Sequence, residues 1–171
     1  MVLLPVFFLF NSALRETNSF ASNPFSLARD PHWENFQQVW SDGEFATYLK
    51  NSVIVTGGSL IVILICALGA GFILGRYNFK GNALIFGFIL TGMLIPAKLA
   101  ILPLFIQLKW MNLLDSHIGL ILVYSSGALP AAVFIMSGFF RSLPSDLDNA
   151  ARIDGASEFQ LLTRVLVPLV R

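Results

Sequence analysis

Residues Asp146–Pro168 read DLDNAARIDGASEFQLLTRVLVP and form the one long polar segment of the chain that carries a regular pattern. Ser145 can accept a hydrogen bond from a free first-turn amide. Asp148, three residues on, supplies the acidic half of a variant capping box, which predicts a helix from Asp146 to Asp154. Gly155 ends that helix, because glycine tolerates the left-handed conformation that helix termini commonly need. Ser157 and Gln160 make a second capping box and launch another helix toward Val167, with Pro168 about a turn beyond Arg164. Ala150 and Ala151 leave the first helix with a low-profile face suited to close packing. The segment is predicted to be a docking device.

The rest of the chain is mostly membrane. Of 171 residues, 56% are hydrophobic and 12% charged, and a mean hydropathy of +0.73 excludes an ordinary soluble domain in favour of a polytopic membrane protein. A net charge of +1 without a basic stripe gives no sign of nucleic-acid binding. Cys66, the single cysteine, has no intramolecular disulfide partner and is expected to be a small packing residue. His32 and His117 are solitary, no zinc-ligand spacing occurs, and no GxxxxGK[ST] phosphate loop is present, so the chain is not expected to hydrolyse ATP or to hold a metal or cofactor.

Taken in order, residues 1–14 are apolar but reach only roughly 21 Å as a helix, against a hydrocarbon core of about 30 Å. They are half a span. A signal peptide is disfavoured, because no basic region precedes Val2 and no small-residue cleavage site follows. Residues 15–52 are a polar external loop, with Asn23-Pro24 and Asp30-Pro31 as turns. Its Trp33, Phe36, Trp40, Phe45 and Tyr48 suit either an interfacial segment or a loop packing its own rings. Val53–Leu74 is uncharged for 22 residues and is expected to span. Ala67, Gly71 and Gly75 place small side chains on one of its faces, where another helix can approach closely.

Residues 82–108 form a third apolar run, interrupted by Thr91-Gly92, Pro96, Lys98 and Pro103. Such breaks are tolerated at membrane depth where protein or a wet cavity satisfies the freed backbone. Lys98, the one charge inside a span, either faces a translocation path or snorkels to the headgroups. Residues 118–140 are uncharged and make the last span, with Pro130 as an expected kink. Arg76 and Lys80 after the second span, and Arg141, Arg152 and Arg164 after the last, put those two loops in the cytoplasm.

The patterned segment resembles a known one. Asn149-Ala150-Ala151, then Gly155 four residues after the second alanine, then Val165 and Pro168, is similar to the EAA loop of binding-protein-dependent ABC import permeases. Asn149 stands where that family usually has glutamate, and Val165 and Val167 where it has isoleucine and leucine. PVFFLFNSALRE from Pro5, PHWENFQQVW from Pro31, PLFIQLKWMNLLDSHIGLILVY from Pro103 and GFFRSLPSDL from Gly138 resemble corresponding stretches of the carbohydrate-uptake members. The resemblance covers about Pro5 to Arg171. Permeases of this type continue through two further helices, so the chain resembles a fragment lacking both ends of the subunit.

The resemblance implies an all-α, polytopic helical membrane protein with the transmembrane-domain architecture of a type I ABC importer, incomplete here, in a bacterial or archaeal inner membrane. It implies nucleotide-binding ATPase subunits that hold the ATP, a second permease subunit and an external solute-binding protein as partners. The coupling loop, 145–168, then carries Asn149, Ala150, Ala151, Asp154, Gly155, Ala156 and Pro168 as its docking residues. Sugars are the expected solute. Polyamine, phosphate or amino-acid permeases share the loop, and a membrane scaffold or channel subunit is the alternative of a different class. An intramembrane enzyme needs paired acids or histidines within spans, and 53–140 offers none.

Overall fold

The computed structural model describes residues 3–170, and every regular element among them is helical. Met1 and Val2 of the expected half-span, and Arg171, lie outside the described residues. The chain divides into two compact units, Met1–Val53 and Ile54–Arg171.

In the first unit, helix α1 (Leu3–Ala13) is apolar and mostly exposed, with Asn11 buried. The Asn11 amide explains the exception: its Nδ2 donates to Ser26 O at 2.9 Å, and its Oδ1 accepts from the Ala28 amide at 2.8 Å. The following chain is thereby held against the helix end. Helices α2 (Thr17–Ser22) and α3 (Glu34–Ser41) are short. The rings contact one another, as in Phe8–Phe25, Phe10–Trp33 and Trp40–Phe45, yet Trp33, Trp40 and Tyr48 stay exposed. The loop therefore packs some of its own rings, as one of its two readings expects, while their outer faces still present apolar surface.

Helix α4 (Phe45–Arg76) starts eight residues before the expected span. The chain turns at Gly43-Glu44, where Glu44 takes a φ of 50°. No proline and no glycine then interrupts the helix before Gly57, so Phe45–Ser52, expected in the loop, is helical. The 32 residues reach about 48 Å, more than a hydrocarbon core needs.

In the second unit α4 runs parallel to α7 (His117–Ser142). Ser59 lies beside Ile121 and Ser125, Gly71 beside Met136, and Gly75 beside Ser137 and Phe140. The small-residue face acts as expected, and its partner is α7. A Cβ at Gly71 would sit 2.5 Å from Met136 Cβ and 3.1 Å from its carbonyl carbon, so only glycine allows this approach. Ala67, Leu74 and Val133 form a buried cluster here. Cys66 is a correction: it is exposed, because it is rotated off the inner stripe that Ala67 occupies.

Parallel neighbours require a return crossing between them, and the run 82–108 supplies it, though not as one helix. It comprises α5 (Asn82–Thr91), a 3₁₀ turn at Gly92–Leu94 and α6 (Ala97–Trp110). The break falls at Ile95 and Pro96, whose ψ angles of 115° and 122° are extended. Proline disfavours the helical conformation in the residue before it, which accounts for Ile95. Pro103 and Pro130 lie inside helices. Helix α5 packs antiparallel on α7, with Phe86 stacked on Phe134 at 6.3 Å.

Candidate functional site

The ends of α4 and α7 meet side by side, so the negative ends of two helix dipoles adjoin. Each is capped by an arginine from the other. Arg141 donates to Leu74 O at 3.1 Å, while Arg76 donates to Phe140 O at 3.0 Å and to Leu143 O at 2.7 Å. Arg141 also lies over the Phe86 ring, 4.9 Å from its centroid, and the Asn82 amide caps Tyr77 O at 2.6 Å. Carbonyls that a helix terminus leaves free are satisfied here by side chains.

The patterned hairpin is built on this platform. Its first arm is α8 (Asp146–Ile153). The expected box at Ser145 is a correction, because Ser145 makes no side-chain cap and is itself helical at φ −67°, ψ −20°. Asp148, the intended partner, is drawn instead to Arg76, with which it forms a hydrogen-bonded ion pair; the two side chains are 10% and 6% exposed. A buried ion pair outcompetes a surface cap.

The turn follows expectation closely. Gly155 adopts a φ of 82°, its amide donates to Arg152 O at 3.1 Å, and the Ala156 amide donates to Ala151 O at 2.9 Å. That pair of bonds is a Schellman closure. Ser157 accepts from the Gln160 amide while Gln160 Oε1 accepts from the Ser157 amide, completing the second box.

The second arm differs from a simple α-helix. After α9 (Glu158–Gln160) the chain winds as a π-helix over Leu161–Leu166 and closes with a 3₁₀ turn, Val167–Val170, that contains Pro168. Pairing of residues five apart suits this stretch, since Leu161 and Leu166 are five apart and both fully buried. They pack with Phe72, Phe140 and Ala151. Ala151 therefore points inward, and the low-profile face expected for docking is used within the chain at that position.

Asn149, Ala150, Asp154 and Gly155 face solvent, and Ala156 is half-buried. Two apolar side chains stand out among them: Ile153 is 85% and Phe159 74% exposed. Sequence reading did not single these out, although an isoleucine and a phenylalanine flanking the turn of a polar hairpin are visible in the sequence. It also treated Arg76 only as an orientation marker and passed over Tyr77.

Tyr77 donates its hydroxyl to Glu158, and Arg152 Nε donates to Glu158 Oε1 at 3.1 Å. The Tyr77 hydroxyl and Arg152 together hold the Glu158 carboxyl below its ordinary 4.5. Burial, then the Glu158 contact, pushes the Tyr77 hydroxyl above 10.0. Lys98 is not part of this assembly; it is exposed in the first turn of α6. Among the described residues no group of His, Cys, Asp or Glu is arranged to hold a metal.

A family model described as the binding-protein-dependent transport system inner membrane component matches residues 67–171. The chain is 38% identical over its whole length to the diacetylchitobiose uptake system permease protein NgcG of Streptomyces coelicolor, of which it covers 57%. It is 30% identical over 98% of its length to the trehalose transport system permease protein SugB of Mycobacterium tuberculosis, covering 61% of that protein. The chain thus spans about three-fifths of the length of the curated relatives it matches. A crystal structure of a bacterial ABC transporter involved in the import of the acidic polysaccharide alginate shares the fold. That match has a TM-score of 0.85 at 23% identity and covers 98% of this chain and 59% of the other. With its parallel helix pair, broken return crossing and stapled hairpin, the chain belongs to the family of binding-protein-dependent transport system inner membrane components, which are transport proteins and not enzymes.

Proposed function

We propose that this chain is part of the permease subunit of an ATP-driven importer for sugars, in a bacterial or archaeal inner membrane, and that the hairpin 145–168 is where ATPase subunits dock. One observation carries the reading. A polar hairpin, closed at its turn by Gly155 and anchored beneath by Arg76, displays Ile153 and Phe159 to solvent. Exposed apolar anchors rimmed by polar residues fit a protein partner. A rigid arm transmits the partner's displacement, where a flexible one would absorb it.

The spans 53–74, 82–108 and 118–140 then line or flank the path, with Lys98 the residue of these spans to examine on it. A second permease subunit completes the path, an external solute-binding protein delivers the solute, and ATP stays on the ATPase. Sugar is favoured by the uptake systems named for the relatives at 38% and 30% identity. Co-purification tests the docking reading. A tagged subunit should retain a nucleotide-binding protein, and Ile153→Asp with Phe159→Asp should lose it at normal membrane insertion. Equal retention by the double variant refutes the assignment of the surface.

A further inference from the structure

Arg76 and Tyr77 are successive residues, and each grips a different arm of the hairpin. Arg76 reaches α8 through Asp148, whereas Tyr77 reaches the second arm through Glu158, which Arg152 of α8 also holds. Four guanidinium hydrogen bonds leave Arg76: two to carbonyls at the end of α7, one to Pro144 O at 3.0 Å in the link to α8, and one to Asp148. Only its Nε, also buried, has no partner. A planar fork makes these four bonds from two separated nitrogens, to acceptors on α7, the link and α8 at once, whereas a lysine has three donors on a single nitrogen and cannot reproduce them all. Beneath these polar contacts Phe72 packs edge-on against both Tyr77, at 5.4 Å, and Phe140, at 6.0 Å.

We infer that Arg76 and Tyr77 are positioning residues that lock both arms of the hairpin to the joined ends of α4 and α7, so that hairpin and helix pair move as one body. The inference rests on the docking reading for its purpose but not for its geometry. Displacement applied at Ile153 or Phe159 passes into α4 through these contacts, bypassing the break at Ile95-Pro96. Because 64 to 72 residues of sequence separate Arg76 from its partners, no local signal carries this function.

The test is a spin-label distance in the full-length subunit, purified with its ATPase and reconstituted in lipid. The native Cys66, exposed on α4, takes one label and Asn149→Cys on α8 takes the other. The unaltered clamp should give a narrow distance distribution that does not move when ATP and vanadate are added. Arg76→Lys and Asp148→Asn should each broaden it by about twofold and make its mean depend on nucleotide, with Tyr77→Phe intermediate and Asp148→Glu restoring the narrow form. Loss of order with charge kept in Arg76→Lys separates fork geometry from simple charge balance. A distribution equally narrow in Arg76→Lys and Asp148→Asn, or one that shifts with nucleotide in the unaltered subunit, overturns the inference. If no ATPase co-purifies, the docking reading fails, while the nucleotide-free widths still decide the clamp.

Discussion

Two buried arginines organise the two units, and they do different work. Arg15, 5% exposed, donates to Pro24 O at 3.2 Å and to Ser19, all within nine residues of itself. Among the described residues the Arg76 guanidinium bonds to groups at least 64 residues away and includes a buried carboxylate among them. The first shapes a loop. The second ties a membrane-length helix, its parallel neighbour and a hairpin together. Whether a buried cation acts locally or mechanically is decided by the sequence distance of its partners, not by its burial.

The largest expected effect breaks this comparison directly. Arg76→Ala leaves Asp148 buried without its cation and strips donors from the end of α7, costing about 3–5 kcal/mol as for other broken buried pairs. Arg15→Ala loses a few local bonds to neutral groups and should cost on the order of 1–3 kcal/mol. Unfolding of the detergent-solubilised protein measures both. Equal losses would erase the distinction between the two arginines.

A smaller effect sharpens the role of the α4–α7 contact. Gly71→Ala must push Met136 or its backbone away and should destabilise by about 1–3 kcal/mol, the usual cost of overpacking. Gly69→Ala, two residues earlier, has nothing within 4 Å of the new methyl and should stabilise the helix by roughly 0.5–1 kcal/mol. Opposite signs in the same unfolding assay are the expected result. Matching signs would mean that α4 and α7 do not rely on this close approach.

How much of this was visible beforehand follows the range of each interaction. Gly155, the Ser157–Gln160 box and the Ala67–Gly71–Gly75 stripe each depend on neighbours within one or two turns, and each was readable. The Ser145 box failed because Asp148 had a better partner 72 residues back, invisible to any local pattern. Pro96 and Pro103 looked alike as interruptions of one apolar run, yet only Pro96 coincides with a break, since Pro103 is accommodated within α6. Cys66 and Ala67 are adjacent with opposite exposure. Helical rotation separates them, but only the packed neighbour decides which face turns inward.

The smallest effect concerns pH and separates the two grips on the hairpin. Glu158 has a lowered folded value, so its contribution is present above 4.5 and lost as pH falls through the lower folded value. Tyr77 has a raised value, so its contribution is present below 10.0 and lost as pH rises through the higher one. The Tyr77 grip should therefore hold across the neutral range and slacken at both extremes. Near the acid limit, amide exchange of Glu158–Gln160 should accelerate in the native protein more than in Glu158→Gln. Identical acid responses would show that this carboxylate does not secure the second arm.

The claim that the hairpin is where the ATPase docks is tested most directly by photo-crosslinking in intact membranes. A photoreactive residue replacing Ile153, which is 85% exposed on the hairpin, is compared with one replacing Trp33, which is 60% exposed in the other unit. The Ile153 probe should yield one adduct containing a nucleotide-binding subunit, lost when Gly155→Asp distorts the turn, and the Trp33 probe should yield none. An ATPase adduct from Trp33 and not from Ile153, or no adduct from Ile153 in a complex that still contains the ATPase, would contradict the account.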